Sequence, residues 1–123
     1  MKNNAHVRVK GDSIGMQFEW LDFDGDDCFK DFHINVANET DTRRFDFGPC
    51  AVHGLRKLCK FFKDVTDATV SGGFQYPDAR YYDVQRMDDG YRVVIRFEGG
   101  GLHEQFYIPS PSVQVDDEFL KVY

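Results

Sequence analysis

The residues with the most chemical potential lie between Leu21 and His33, in LDFDGDDCFKDFH. Here Asp22, Asp24, Asp26, Asp27 and Asp31 fall within ten positions, around Gly25. Carboxylates at this density suit cation binding, paired acid–base catalysis, or the charged tip of a turn. The alternation of Asp22, Asp24 and Asp26 imitates the early ligands of an EF-hand calcium loop. The rest of that pattern fails: counted from Asp22, glycine comes fourth instead of sixth, and the twelfth residue is His33 instead of a bidentate glutamate. Paired-carboxylate catalysis needs two carboxyls across a cleft with separated pKa values, which an exposed hairpin tip does not provide. The segment reads as an acidic turn. Asp88 and Asp89, in MDDGY, form a second one.

Other reactive side chains are scattered. His6, His33, His53 and His103 show no HxH or HxxxH spacing, so no metal site is expected. Cys50 and His53 lie one helical turn apart. A cysteine at a helix N-terminus has a lowered pKa, so this pair is the best sketch of a nucleophile and its base, without a third member or a substrate pocket. No catalytic residue, metal or cofactor is assigned. The glycines in Ser71–Gly73 and Glu98–Leu102 lack a phosphate-loop pattern and read as turns or bulges.

The elements that position these residues are mainly strands. HVRVK, IGMQFEW and CFKDFHINV alternate, placing Val7 and Val9; Ile14, Met16, Phe18 and Trp20; and Cys28, Phe32, Ile34 and Val36 on single faces. RRFDF adds a short fourth strand. The period then changes. Val52, Leu55, Leu58, Cys59 and Phe62 share one helical face, so a central amphipathic helix is expected over Pro49 to Lys63, with Pro49 in its first turn. Arg56, Lys57, Lys60 and Lys63 form a basic stripe opposite. ATVSGGFQY, RYYDVQRM, YRVVIRFE and LHEQFYI continue as strands. An Asp89-Gly90 type I′ turn would join the middle two, pairing Val84 with Ile95, Tyr82 with Phe97 and Asp83 with Arg96. The tail PSVQVDDEFLKVY reads as a turn and a short helix or docked extension that returns Phe119 and Leu120 to the core.

Register logic also bears on the acidic loop. A two-residue Asp24-Gly25 turn sets Phe18 against Asp31 and mixes the faces. A three-residue loop pairs Phe18 with Phe32, and a five-residue loop pairs Trp20 with Phe32 and Phe18 with Ile34. Both keep the apolar face whole, so a bulged or wider loop is expected around Asp24 to Asp27. The expected fold class is α+β: one domain, residues 1–123, whose curved antiparallel sheet of about seven to eight strands carries the helix on one face. The alternative is a two-sheet sandwich with the helix closing one end.

Composition narrows the function classes. The chain has 123 residues, enough for a core without staples, and 15% aromatics, which favour sheets. Its net charge of −6 disfavours nucleic-acid binding and favours encounter with a basic partner. Cys28, Cys50 and Cys59 cannot all pair, which suits a reducing compartment; no signal-peptide h-region or membrane-length apolar run is present, so a cytoplasmic location is expected.

The succession of FEWLDF, FHINVAN, the helix AVHGLRKLCKFF and YRVVIRFEGG resembles small acidic bacterial immunity proteins of polymorphic toxin systems. The resemblance spans most of the chain and rests on organisation, so no family residue is carried onto it. It implies stoichiometric binding, in which acidic and aromatic residues block a toxin's active site or a surface near it. The expected function is thus a non-enzymatic protein-binding module with Asp22, Asp24, Asp26, Asp27, Asp31, Asp88 and Asp89 as contact residues, helped by Tyr81 or Tyr107. An apolar cavity lined by Phe and Tyr would mark a carrier of small hydrophobic ligands instead. A third reading is an enzyme using Cys50 and His53.

Overall fold

The computed structural model describes residues 4–24, 28–64, 66–74, 79–97 and 102–116. Four strands come first: β1 (Ala5–Lys10), β2 (Ile14–Phe23), β3 (Cys28–Asn38) and β4 (Thr42–Ala51). Helix α1 (Val52–Lys63) follows, then β5 (Thr69–Phe74), β6 (Arg80–Met87), β7 (Gly90–Phe97), β8 (Leu102–Pro109) and β9 (Ser112–Asp116). The class is α+β, with every strand pairing antiparallel.

The single curved sheet of seven to eight strands is not what forms. Two sheets do, in the orders β4-β3-β2-β1-β9 and β5-β6-β7-β8. The aromatic content explains the division. Phe18, Phe32 and Phe47 of the first sheet each place a ring within 5.8–6.0 Å of Tyr82 in the second, and Phe45 meets Phe97 and Phe106 at 6.0 Å. Side chains this large on two facing sheets bury far more apolar area than one sheet and a helix offer. The rings therefore touch one another between the layers.

The tail completes the first sheet. Ser112–Asp116, expected as a turn and a short helix or docked extension, is a strand on β1 that pairs Val7 with Val115 and Val9 with Val113. Its alternation in SVQVD suits a strand with one buried face. Phe119 and Leu120 lie outside the described residues.

Helix α1 begins three residues later than expected. Pro49 is in β4, an edge strand, where a missing N–H removes no ladder bond. Val52, Leu55, Leu58, Cys59 and Phe62 are buried as the spacing required, and Phe61 joins them. Phe62 reaches Phe18 at 5.9 Å, and Phe61 and Phe62 both meet Tyr91, so the helix covers the open end between the sheets. Arg86 of β6 donates to the Phe61 carbonyl at 2.5 Å and lies over the Phe61 ring, satisfying one orphan carbonyl of the last helical turn.

The two hairpins divide on register. In β2–β3, Phe18 pairs with Ile34 and Trp20 with Phe32, the five-residue alternative. The Asp24 N–H donates to the Cys28 carbonyl at 3.1 Å and closes that loop. In β6–β7 the expected register is two residues off. Val84 meets Val93, Tyr82 meets Ile95, and the turn is Asp88-Asp89, with Met87 opposite Gly90. No residue of that turn has positive φ, so it is not type I′. Gly90 is needed for a different reason: a Cβ there would lie 2.1 Å from the Ile108 carbonyl oxygen of β8. The charge pair survives as a diagonal, with Arg96 Nη2 3.4 Å from Asp83.

Ser71–Gly73 lies inside β5, not at a turn. Cβ atoms at Gly72 and Gly73 would sit 2.6 Å and 2.5 Å from the rings of Tyr82 and Tyr81, so the missing side chains let two aromatic rings lie on the backbone. Glu98–Gly101 lies outside the described residues.

Candidate functional site

The acidic residues singled out by their spacing are split between opposite ends of the molecule. Asp22, Asp24 and Asp31 stand at the loop end of β2–β3. Asp88 and Asp89 stand at the other end: the Ser110 N–H donates to the Asp89 carbonyl, Ser112 pairs with Lys10, and Gly11 packs against Pro109. That places the β6–β7 turn beside the β1–β2 turn. The two ends are roughly 30 Å apart, the length of a ten-residue strand. Asp26 and Asp27 lie outside the described residues.

Two of these aspartates have local structural duties. Asp22 has a φ of 56°, a left-handed conformation that Asp tolerates far better than a branched residue, and its N–H donates to Asn4 Oδ1 at 3.2 Å. Asp89 accepts a hydrogen bond from the Tyr107 hydroxyl, which ties the β6–β7 turn to β8. Tyr107 is 41% exposed. Asp24 is exposed at the mouth of the loop. Tyr81 is half-buried under the Arg96 guanidinium.

The densest constellation lies on the outer face of the first sheet. Antiparallel pairing sets Glu19 of β2, His33 of β3 and Asp46 of β4 side by side, with Asp31 two residues along β3 on the same face. His33 is 2% exposed, whereas most outward residues of this sheet are open to solvent. Its Nε2 is 3.3 Å from Glu19 Oε2, and its Nδ1 is 3.4 Å from Asp31 Oδ2 without a hydrogen bond. Arg44 lies across two of the carboxylates, donating from Nε to Asp46 at 2.7 Å and from Nη2 to Asp31 at 3.3 Å. The Asp46 bond holds the guanidinium still more firmly in its charged form. Spacing by chain position misses this group, because its members come from three strands. One signal is readable: Asp31 and His33 are two apart in a strand, hence on one face.

The thiol sketch meets opposing physics. Cys50 belongs to the end of β4, not to a helix N-terminus, and its thiol donates to the Ala51 carbonyl at 3.3 Å. Burial pushes its pKa up to about 11, with Trp20 opposing and nearby Cys28 adding. An activated nucleophile requires the reverse shift. Cys50 and exposed His53 do share a cleft of about 470 Å³ with Lys57, Ser71 and Tyr82. Lys57, from the basic stripe of the helix, donates to the Ser71 carbonyl at 2.6 Å. A second cleft, of about 630 Å³, opens on the outer face of the first sheet near the β1–β2 turn, between Arg8, Lys10, Gln17 and Asn35.

No protein-family model, curated protein or solved structure matches this chain. Among the described residues, no helix is long and apolar enough to cross a membrane.

Proposed function

We propose that this protein is a non-enzymatic protein-binding module that engages a basic partner, in its most concrete form an immunity protein that neutralises a bacterial toxin by stoichiometric binding. The observation that carries the reading is the construction of the β2–β3 hairpin. It presents exposed Asp22 and Asp24 and half-buried Asp31 on a base locked by the Trp20 and Phe32 rings, 4.4 Å apart. The braced strand ends lose little entropy on docking, and the charge they carry, with the net −6 of the chain, steers a cationic surface to them. The same charge argues against nucleic acid as the partner. Three cysteines with no disulfide among the described residues fit work in the reducing cytoplasm. The alternative, a carrier of small ligands, draws on the 630 Å³ cleft between Arg8, Lys10, Gln17 and Asn35.

The test is affinity capture with the intact chain, followed by charge reversal at each end. Asp24→Lys should weaken capture of a basic partner at least tenfold and flatten its salt dependence, while Asp88→Lys should leave both unchanged. Equal binding by both variants would refute the hairpin as the contact surface. A stoichiometric small molecule in native mass spectra, with no protein captured, would favour the carrier.

A further inference from the structure

The group on the outer face of the first sheet has a charge and geometry that acidic partner recognition does not require. Glu19, Asp31 and Asp46 carry three negative charges, and Arg44 carries one positive charge. These four side chains sum to −2. At its centre is an imidazole that is 2% exposed, and its Nδ1 is buried without a hydrogen-bond partner. A buried ring nitrogen of that kind has given up its hydration with nothing in exchange. It therefore calls for a ligand.

The geometry points to a site for a divalent transition-metal ion of the zinc type, bound by His33 Nδ1 and the carboxylates of Asp31 and Asp46. One ligand atom from each of the three lies within 4.8 Å of the others. Two ligands about 2.1 Å from a tetrahedral ion stand roughly 3.4 Å apart. His33 Nδ1 and Asp31 Oδ2 are 3.4 Å apart. Asp46 is on an exposed side chain and closes the remaining gap by rotation. The other ring nitrogen completes the pattern. His33 Nε2 faces Glu19 at 3.3 Å, and a metal-bound histidine characteristically donates its second N–H to a carboxylate, which fixes the tautomer that frees Nδ1 for the metal. An imidazole with two carboxylates suits zinc-like ions over calcium, which takes six to eight oxygens. Three protein ligands leave a fourth position for water or an incoming group.

Arg44 is the competing cation. Its half-exposed guanidinium bridges the same two carboxylates from the solvent side and must swing outward when an ion enters. The site does not depend on the partner-binding reading, and it shares only Asp31 with it.

Calorimetric titration of the full chain with Zn²⁺ under reducing conditions should give one equivalent bound, and long-range ¹H–¹⁵N spectra should show the His33 Nδ1 resonance move. Asp46→Asn should weaken binding at least tenfold, and Glu19→Gln by about 10–100-fold. Arg44→Gln, which removes the competitor and keeps all three ligands, should bind at least as tightly as the native chain. Failure of both the native chain and Arg44→Gln to bind overturns the site. So does binding unchanged by Asp46→Asn, or a thiolate charge-transfer band with Co²⁺, which would put the ion on the cysteines.

Discussion

The two faces of β2 and β3 are made of alternate residues of the same strands, yet they are governed by different physics. The inner face holds Phe18, Trp20, Phe32 and Ile34, all with 0% exposure, and its rings reach the second sheet and the helix. The outer face holds Gln17, Glu19, Asp31 and Asn35, polar and open to solvent in part. His33 breaks the division: it points outward with its polar neighbours and is nearly as buried as the core. The inner face is a packing problem with one solution. The outer face is free to carry charge, and it is there that chemistry has room.

The contrast is sharpest at its extremes. Phe32→Ala should cost about 3–5 kcal/mol, because the ring touches Phe18, Trp20, Phe47 and Tyr82, and two packed sheets cannot collapse into the space. Urea unfolding measures it. A loss under about 1 kcal/mol would mean that the layers are loosely packed.

The interior also predicts a response to alkali. The Cys50 thiol is held near pKa 11, against an ordinary value of 9.0. Its folded pKa is raised, so its contribution is complete below pH 9, where the thiol is neutral in both states. Above that the unfolded thiol ionises first, and stability falls until pH passes about 11, by about 2–3 kcal/mol in all. The buried Tyr82 phenol is also pushed up, by desolvation first, and extends the decline. Unfolding curves at about pH 8.5 and about pH 10.5, on either side of the unfolded thiol's titration, should show the loss, and Cys50→Ala should reduce it. At neutral pH the native thiol should react slowly with iodoacetamide.

Two glycines make a smaller contrast. Gly90→Ala drives a methyl into the Ile108 backbone and should cost about 1–3 kcal/mol. A methyl added at Gly15 would meet its nearest neighbour, the Val9 carbonyl oxygen, at 3.6 Å, and the backbone there has no positive φ. Gly15→Ala should therefore stabilise by about 0.4–1 kcal/mol.

Much of this is legible locally. The alternation of β1, β2 and the Phe32–Val36 part of β3, the apolar face of α1, and the odd-length loop between Phe23 and Phe29 follow from side-chain periodicity and face conservation across a hairpin. Cys28, expected on the buried face, yields it to Phe29, at 0% exposure, because the β3–β4 register shifts between Phe29 and Phe32. The β6–β7 register departs from expectation because Asp89-Gly90 carries a strong turn signal, while the demand on Gly90 comes from Pro109 and Ile108, about twenty residues on. The acidic spacing at Asp22 to Asp31 points to a loop, where part of it answers to backbone conformation at Asp22. The group around His33 leaves only the Asp31–His33 spacing as a trace in the chain.

The sequence by itself determined which residues of β1, β2 and α1 face inward, where the period changes from two to 3.6, and the sign of the net charge, because these depend on composition and on neighbours within a few positions. Tertiary structure alone decided that the strands divide into two sheets, that β9 returns to β1, that the two acidic turns stand apart, and that Glu19, His33 and Asp46 share one rung. Those outcomes turn on which distant strands become neighbours. That is settled by how bulky rings fill a common interior, a property no short stretch of the chain contains.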